Sequence, residues 1–156
     1  LNYRALQQAD RVRKQLAELS RRSGIELISV EQTSSEYYEN IQKCLVSGFF
    51  TQVAHLQRSG HYLTIKDNQV VQIHPSSVIS SKPEWLLYNE FILTTKNWIR
   101  TITIVRPEWC MDYAPKYYDV SSIPESGAKR VFARLQNQRE KQSQYKQYMT
   151  KSDGIY

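Results

Sequence analysis

The sequence predicts an α+β chain: two amphipathic helices, a small antiparallel β-barrel and a C-terminal helix. Three observations carry this reading. Apolar residues recur at spacings of three and four up to about residue 53 and alternate with polar ones from His61 onward. Turn residues, Asp67-Asn68 and Lys96-Asn97, interrupt the alternating stretch at hairpin spacing. With 40% hydrophobic and 12% aromatic residues among 156, the chain has enough apolar side chains for a core, which excludes global disorder.

The first helix places Leu6, Ala9, Val12, Leu16 and Leu19 on one face, with Asn2 as its N-cap and Ser23-Gly24 as its end. Asp10 to Lys14 and Glu18 to Arg22 are acid-first i,i+4 pairs, suited to an exposed face. After an extended stretch at Ile25 to Val30, Thr33-Ser34-Ser35-Glu36 reads as a capping box. It opens a second helix with Tyr38, Ile41, Leu45, Phe49 and Val53 on its buried face. Gly48 inside that helix costs up to about 1 kcal/mol against Ala, which points to a close backbone contact. Each helix has one apolar stripe, so each needs another surface to cover it.

In the barrel, Tyr62 to Lys66 alternates, Asp67-Asn68 turns, and Gln69 to Ile73 returns. Pro75 breaks the ladder. Trp85 to Thr94 is a long strand, Lys96-Asn97 a turn, and Trp98 to Val105 its return. Pro107 suits the first turn of a short helix at Arg106 to Trp109, and Tyr117 to Val120 supplies a last strand. Four or five short strands with one small helix before the last match an OB barrel, and an SH3-like barrel fits the periodicity nearly as well. Ser121 to Gly127 reads as a linker. Ala128 to Met149 is helix-prone but polar all round from Gln136 to Gln144, as in a solvent-exposed or partner-dependent helix.

Several functions are excluded. No apolar run approaches the roughly 18 to 20 residues that span a bilayer, and no signal-peptide core is present, so no membrane partner is expected. Cys44 and Cys110 lack CxxC spacing and read as buried thiols, and His55, His61 and His74 lack metal-ligand spacing. The scattered glycines form no phosphate-binding loop, there is no Asp-Glu-Ala-His box, and Glu84, Glu90 and Glu108 read as exposed strand and cap carboxylates. No catalytic residue is therefore assigned.

The net charge of +6 is concentrated at the ends: six basic against two acidic residues over 1–24, and seven against three over 125–156. Such an excess favours a polyanion such as RNA, although a charge run also suits a solvated helix face. Barrels of this kind hold single strands by stacking bases on exposed aromatics and neutralising phosphates. Candidates for this are Tyr62 and Lys66 on one strand face, the polar turn Thr95, Lys96 and Asn97, and Arg100 just beyond it. Tyr62 either stacks a base or packs the barrel. Trp85, Trp98 and Trp109 read as core because their i±2 neighbours are largely apolar.

Specific motifs sharpen this picture. In order, the chain reads Gly48-Phe49-Phe50, Gly60-His61-Tyr62-Leu63-Thr64, Val71-Gln72-Ile73-His74-Pro75-Ser76-Ser77 and Pro83-Glu84-Trp85. Tyr88 to Lys96, Arg106-Pro107-Glu108-Trp109 and Ala114-Pro115-Lys116-Tyr117-Tyr118 follow. Over about residues 1 to 124 this series resembles the C-terminal part of the DEAH-box RNA helicases. Within them it is most similar to the branch shared by spliceosome disassembly and ribosome biogenesis. The resemblance implies that residues 1–58 are the last helices of the ratchet (helicase-associated) domain, 59–124 an OB-fold domain and 125–156 a helical tail. It also implies an OB rather than an SH3-like barrel, bordering a channel for single-stranded RNA, with RNA close to Thr94-Thr95-Lys96-Asn97. ATP and Mg²⁺ would then belong to motor domains outside these residues, leaving no cofactor here, and Leu1 in place of Met fits a piece of a longer protein. Implied partners are single-stranded RNA, the other helicase domains, the spliceosome and G-patch adaptor proteins, in the nucleus and nucleolus. Trp85 and Trp98 depart from the residues common in this branch, and nothing is carried over to the tail after Gly127. The rival readings are a free-standing single-strand binding protein and a protein-interaction module that never touches RNA. Salt-dependent RNA binding separates the last from the others.

Overall fold

A computed structural model of the chain describes residues 2–152. These form two compact units, one ending at Tyr37 and the other beginning at Tyr38. In the first, α1 (Tyr3–Arg22) starts where Asn2 Oδ1 accepts from the Ala5 N–H at 3.2 Å. It ends in a Schellman motif: Ile25 N donates to Ser20 O and Gly24 N to Arg21 O, with Gly24 at φ +73°. Lys14 pairs with Asp10 at 2.7 Å and Arg22 with Glu18 at 2.8 Å, as the spacing predicts. No residue of α1 is buried, and Leu6, Val12, Leu16 and Leu19 are all exposed.

The second helix, α2 (Glu36–Phe49), is capped differently from expectation. Ser34 Oγ accepts from the Glu36 N–H at 3.3 Å, while Thr33 turns its hydroxyl to Glu31. Its apolar stripe does not extend to Val53, because Gln52 N bonds Phe49 O to close the helix and the chain then goes straight into β1 (Val53–Leu56). The barrel therefore begins before residue 59. A Cβ on Gly48 would meet open space, so that glycine marks no close contact.

β1 is followed by β2 (Tyr62–Thr64), β3 (Val70–Ile73), β4 (Trp85–Leu93) and β5 (Asn97–Ile104). They close in the order β1-β2-β3-β5-β4, with β3 and β5 parallel and the other pairs antiparallel. This is an OB-like barrel in an α+β chain. Strand alternation sorts its apolar residues into two clusters. Ala54, Tyr62, Val71, Leu86, Tyr88 and Ile99 form one. Val53, Ile65, Trp85 and Leu87 join the other, with residues of the helices that follow.

α3 (Pro107–Tyr113) has Pro107 at its start and buries Trp109 and Cys110. It follows all five strands, not four, because β1 supplies the strand expected at Tyr117 to Val120. That segment is instead a turn and a 3-10 helix at Val120–Ser122, capped by Asp119. The expected linker is not free either: Ile123 is buried, and Ala128 and Phe132 at the start of α4 (Gly127–Ser152) belong to the helix-covered cluster. Cys110 is buried and desolvation pushes its thiol up to about 12, whereas Cys44, expected inside, is exposed. No helix among the described residues is long and apolar enough to cross a membrane.

Candidate nucleic-acid interface

The β4–β5 turn is built by its own threonine. Thr94 donates to Lys96 O from both its backbone N (3.1 Å) and its hydroxyl (3.0 Å), and Lys96 N donates to Thr94 Oγ1 at 3.4 Å. Asn97 Nδ2 donates to Val70 O at 3.1 Å, fastening the turn to the start of β3. Thr95 and Lys96 remain exposed on this fixed turn, beside an exposed Leu93. Lys96 Nζ lies 5.9 Å from the ring centroid of Trp98.

Trp98 differs from the sequence expectation. Trp85 and Trp109 are core residues, 5% and 7% exposed, but Trp98 is only partly buried. Its backbone pairs with Gln72 in β3 and Ile92 in β4, and His74 meets it edge-on at 5.7 Å. The His74 ring is held in turn, with Nδ1 accepting from the Ser76 N–H at 3.1 Å. Beyond Gln72, a cavity of about 290 Å³ is lined by Gly60, Tyr62, Gln72, Ile73 and Lys82. Lys82 Nζ donates to Gly60 O at 3.4 Å across its mouth. Lys96, Trp98, Gln72 and Lys82 thus follow one another from the β4–β5 turn, across β5 and β3, to the β1–β2 loop. In OB barrels these two loops and the strands between them bind oligonucleotides.

Of the six candidates from sequence, the turn residues Thr95, Lys96 and Asn97 lie on this surface, with Asn97 fixing the turn. The other three are committed elsewhere. Tyr62 is 2% exposed and donates its hydroxyl to Pro83 O at 2.8 Å, so it packs the barrel and offers no face for stacking. Lys66 Nζ sits 2.5 Å from Ser122 Oγ and 4.7 Å from the Tyr117 ring centroid, tying the β2–β3 turn to the segment after α3. Arg100 donates from Nε to Glu90 Oε2 at 3.0 Å and again from Nη2. That pairing, aided by the Thr101 hydroxyl at 3.1 Å, holds the Glu90 carboxyl below its ordinary range. Thr101 has φ +56°, an unusual conformation for a β-branched residue. Arg100 is therefore matched by a carboxylate and is not an unpaired phosphate donor.

His74, Gln72, Lys82 and the surface role of Trp98 escaped the sequence reading. Local alternation shows which residues share a strand face, but the parallel β3–β5 pairing that brings Gln72 and His74 to Trp98 is non-local, as is the bond that brings Lys82 to Gly60. The motif His74-Pro75-Ser76-Ser77 was the one available signal.

Residues 41–117 match the family model of the oligonucleotide/oligosaccharide-binding (OB) fold, in the form found at the C-termini of DEAH/RHA helicases. The matched stretch holds most of α2, all five strands and α3, and every residue of the surface just described.

Proposed function

We propose that this chain is the accessory C-terminal part of an ATP-dependent DEAH-box RNA helicase and that its barrel guides single-stranded RNA. The observation that carries the reading is the surface from Lys96 through Trp98 and Gln72 to Lys82. It combines cations at both ends with a partly exposed aromatic between them, within a stretch matching the helicase-type OB fold. Single-strand binding by such barrels needs this combination: amines for phosphates and a ring for bases.

The finer reading follows the motif resemblance. The parent helicase acts in pre-mRNA splicing, at spliceosome disassembly, and in ribosome biogenesis, in the nucleus and nucleolus. Its motor domains hold ATP and Mg²⁺, and G-patch proteins act on the assembled helicase. The helices ahead of β1 correspond to the end of the ratchet domain, and the exposed Leu6, Val12, Leu16 and Leu19 suit a helix that packs against further helices of that domain.

The test is binding of a labelled oligouridylate over a range of salt concentrations. The RNA reading expects log K to fall with log salt by about 0.7 per phosphate contacted. A chain that binds no single strand at low salt is a protein-interaction module instead. A parent gene lacking a P-loop and a DEAH box would remove the helicase assignment.

A further inference from the structure

We propose that Trp98 is a base-stacking subsite covered by Lys96 in the free protein. The phosphate chain draws Lys96 off the indole, and a nucleobase takes the vacated face. This rests on the RNA-binding reading above and identifies the group on that surface that meets a base.

Trp98 stands apart from the other two tryptophans. Trp85 is wedged against His55 at 4.4 Å and Phe132 at 5.2 Å in the helix-covered core, and Trp109 is buried in α3. Lys43 and Arg106 lie over the buried Trp109, whereas Trp98 is partly open and its cation comes from an exposed turn. At 5.9 Å that cation is near the outer limit of an effective cation–π contact, so lifting it loses little. The ring itself is positioned in advance: β3 and β4 flank its backbone, His74 packs on its edge, and Asn97 pins the neighbouring turn to Val70. A ring already in place loses little freedom on stacking. Lys96 lies two residues from Trp98, on the side of the tight turn. A nucleotide places its phosphate beside its base, so one nucleotide can engage both residues. Exposed Leu93 and half-exposed Val70 flank the turn and give its sugar an apolar rest.

The experiment uses the whole chain and two 5′-fluorescein strands of equal length. One is an oligouridylate of about 12 nucleotides, within the span of an OB barrel. The other carries stable abasic analogues in place of the bases. Anisotropy reads affinity, and the part of the tryptophan emission that is missing in Trp98→Leu reads Trp98. Oligouridylate is expected to quench that emission, and Trp98→Leu should abolish the quench and weaken binding about tenfold, as for one stacked base. The abasic strand should bind the wild type and Trp98→Leu alike. Lys96→Ala should make the free protein's emission more accessible to acrylamide. If Trp98→Leu does not fold by circular dichroism, Trp98→Phe keeps a ring and should retain part of the base-dependent affinity.

Equal affinity of Trp98→Leu and wild type for oligouridylate, or equal loss on both strands, would overturn the stacking subsite while leaving RNA binding standing. Failure of the wild type to bind either strand would instead remove the RNA reading itself.

Discussion

Arg100 and Glu90 are register partners across β4 and β5, and the arginine donates from both Nε and Nη2 to a single carboxylate oxygen. On sequence alone Arg100 looks like a phosphate ligand next to a polar turn. In the fold it is half of a cross-strand ion pair, with Thr101 donating to the carboxylate's other oxygen. The pair links the two strands of the hairpin whose tip presents Lys96, and its carboxylate already matches the Arg100 charge.

The pair carries a pH signature. Arg100, then the Thr101 hydroxyl, lowers the Glu90 carboxyl from its ordinary 4.5. A lowered acid stabilises the fold fully above its unfolded value, and that contribution disappears as pH falls through the folded value. Arg100→Ala should therefore lower the melting temperature at neutral pH and progressively less below about pH 4.5. Melting curves of both proteins across this range check it, and a difference that persists unchanged in acid would refute it.

Tyr118 Oη donates to Phe50 O, joining the chain after α3 to the end of α2 inside the core. Burial pushes its phenol far above the usual range, so it stays a donor at any working pH. Tyr118→Phe leaves a part-buried carbonyl without this partner and should cost about 1–3 kcal/mol. Urea unfolding should show a lower midpoint at unchanged slope. An unshifted midpoint would mean that the carbonyl finds another donor.

The sequence was informative wherever structure is local. α1, its cap at Asn2 and its glycine end, the long β4–β5 hairpin and the proline-led α3 all follow from neighbours within a few residues. It misled where two periodicities overlap: Val53 continues the spacing of α2 yet starts β1, and that one strand displaced the expected last strand and the position of α3. At the site, the turn between β4 and β5 was legible because turn chemistry is local, although Asn97, expected in the turn, already pairs with Leu93 as the first residue of β5. Tyr62 was left between stacking and packing, and the internal partners of Tyr62, Lys66 and Arg100 were not legible, because Pro83, Ser122 and Glu90 are 10 to 56 residues away.

The C-terminal helix illustrates the same limit, and it yields a prediction. Its composition suggests a detachable tail, but Phe132 is fully buried against Trp85 and Tyr118, with ring centroids 5.2 and 5.1 Å away. Arg139 further holds Asp112 of α3 at 2.7 Å. Phe132→Ala should cost about 3–5 kcal/mol, and ending the chain at Gly127 should compromise the barrel's folding. Ending it after Gln142 retains both contacts and should leave the melting temperature nearly unchanged. Equal stability of the two truncations would contradict the packing.

Lys96 and Lys66 give the sharpest comparison, because both are barrel-turn lysines that the sequence marks equally as phosphate ligands. Lys66 makes its bonds within the protein, to Ser122 Oγ and over the Tyr117 ring. Releasing it to meet a phosphate would break a contact to gain one. Lys96 rests on Trp98 at long range from an exposed turn, so nearly all of its phosphate interaction would be net gain. Lys96→Ala should weaken oligouridylate binding by about 1–3 kcal/mol, in the range of charge-assisted hydrogen bonds. It should also flatten the salt dependence by about 0.7, the share of one phosphate on a single strand. Lys66→Ala should leave that slope unchanged and act on stability, lowering the urea midpoint by detaching the β2–β3 turn from the segment after α3. Anisotropy titrations at several salt concentrations, paired with urea unfolding of both variants, separate the two roles. The opposite assignment, a flattened slope with Lys66→Ala and none with Lys96→Ala, would move the phosphate path from the β4–β5 turn to the β2–β3 turn.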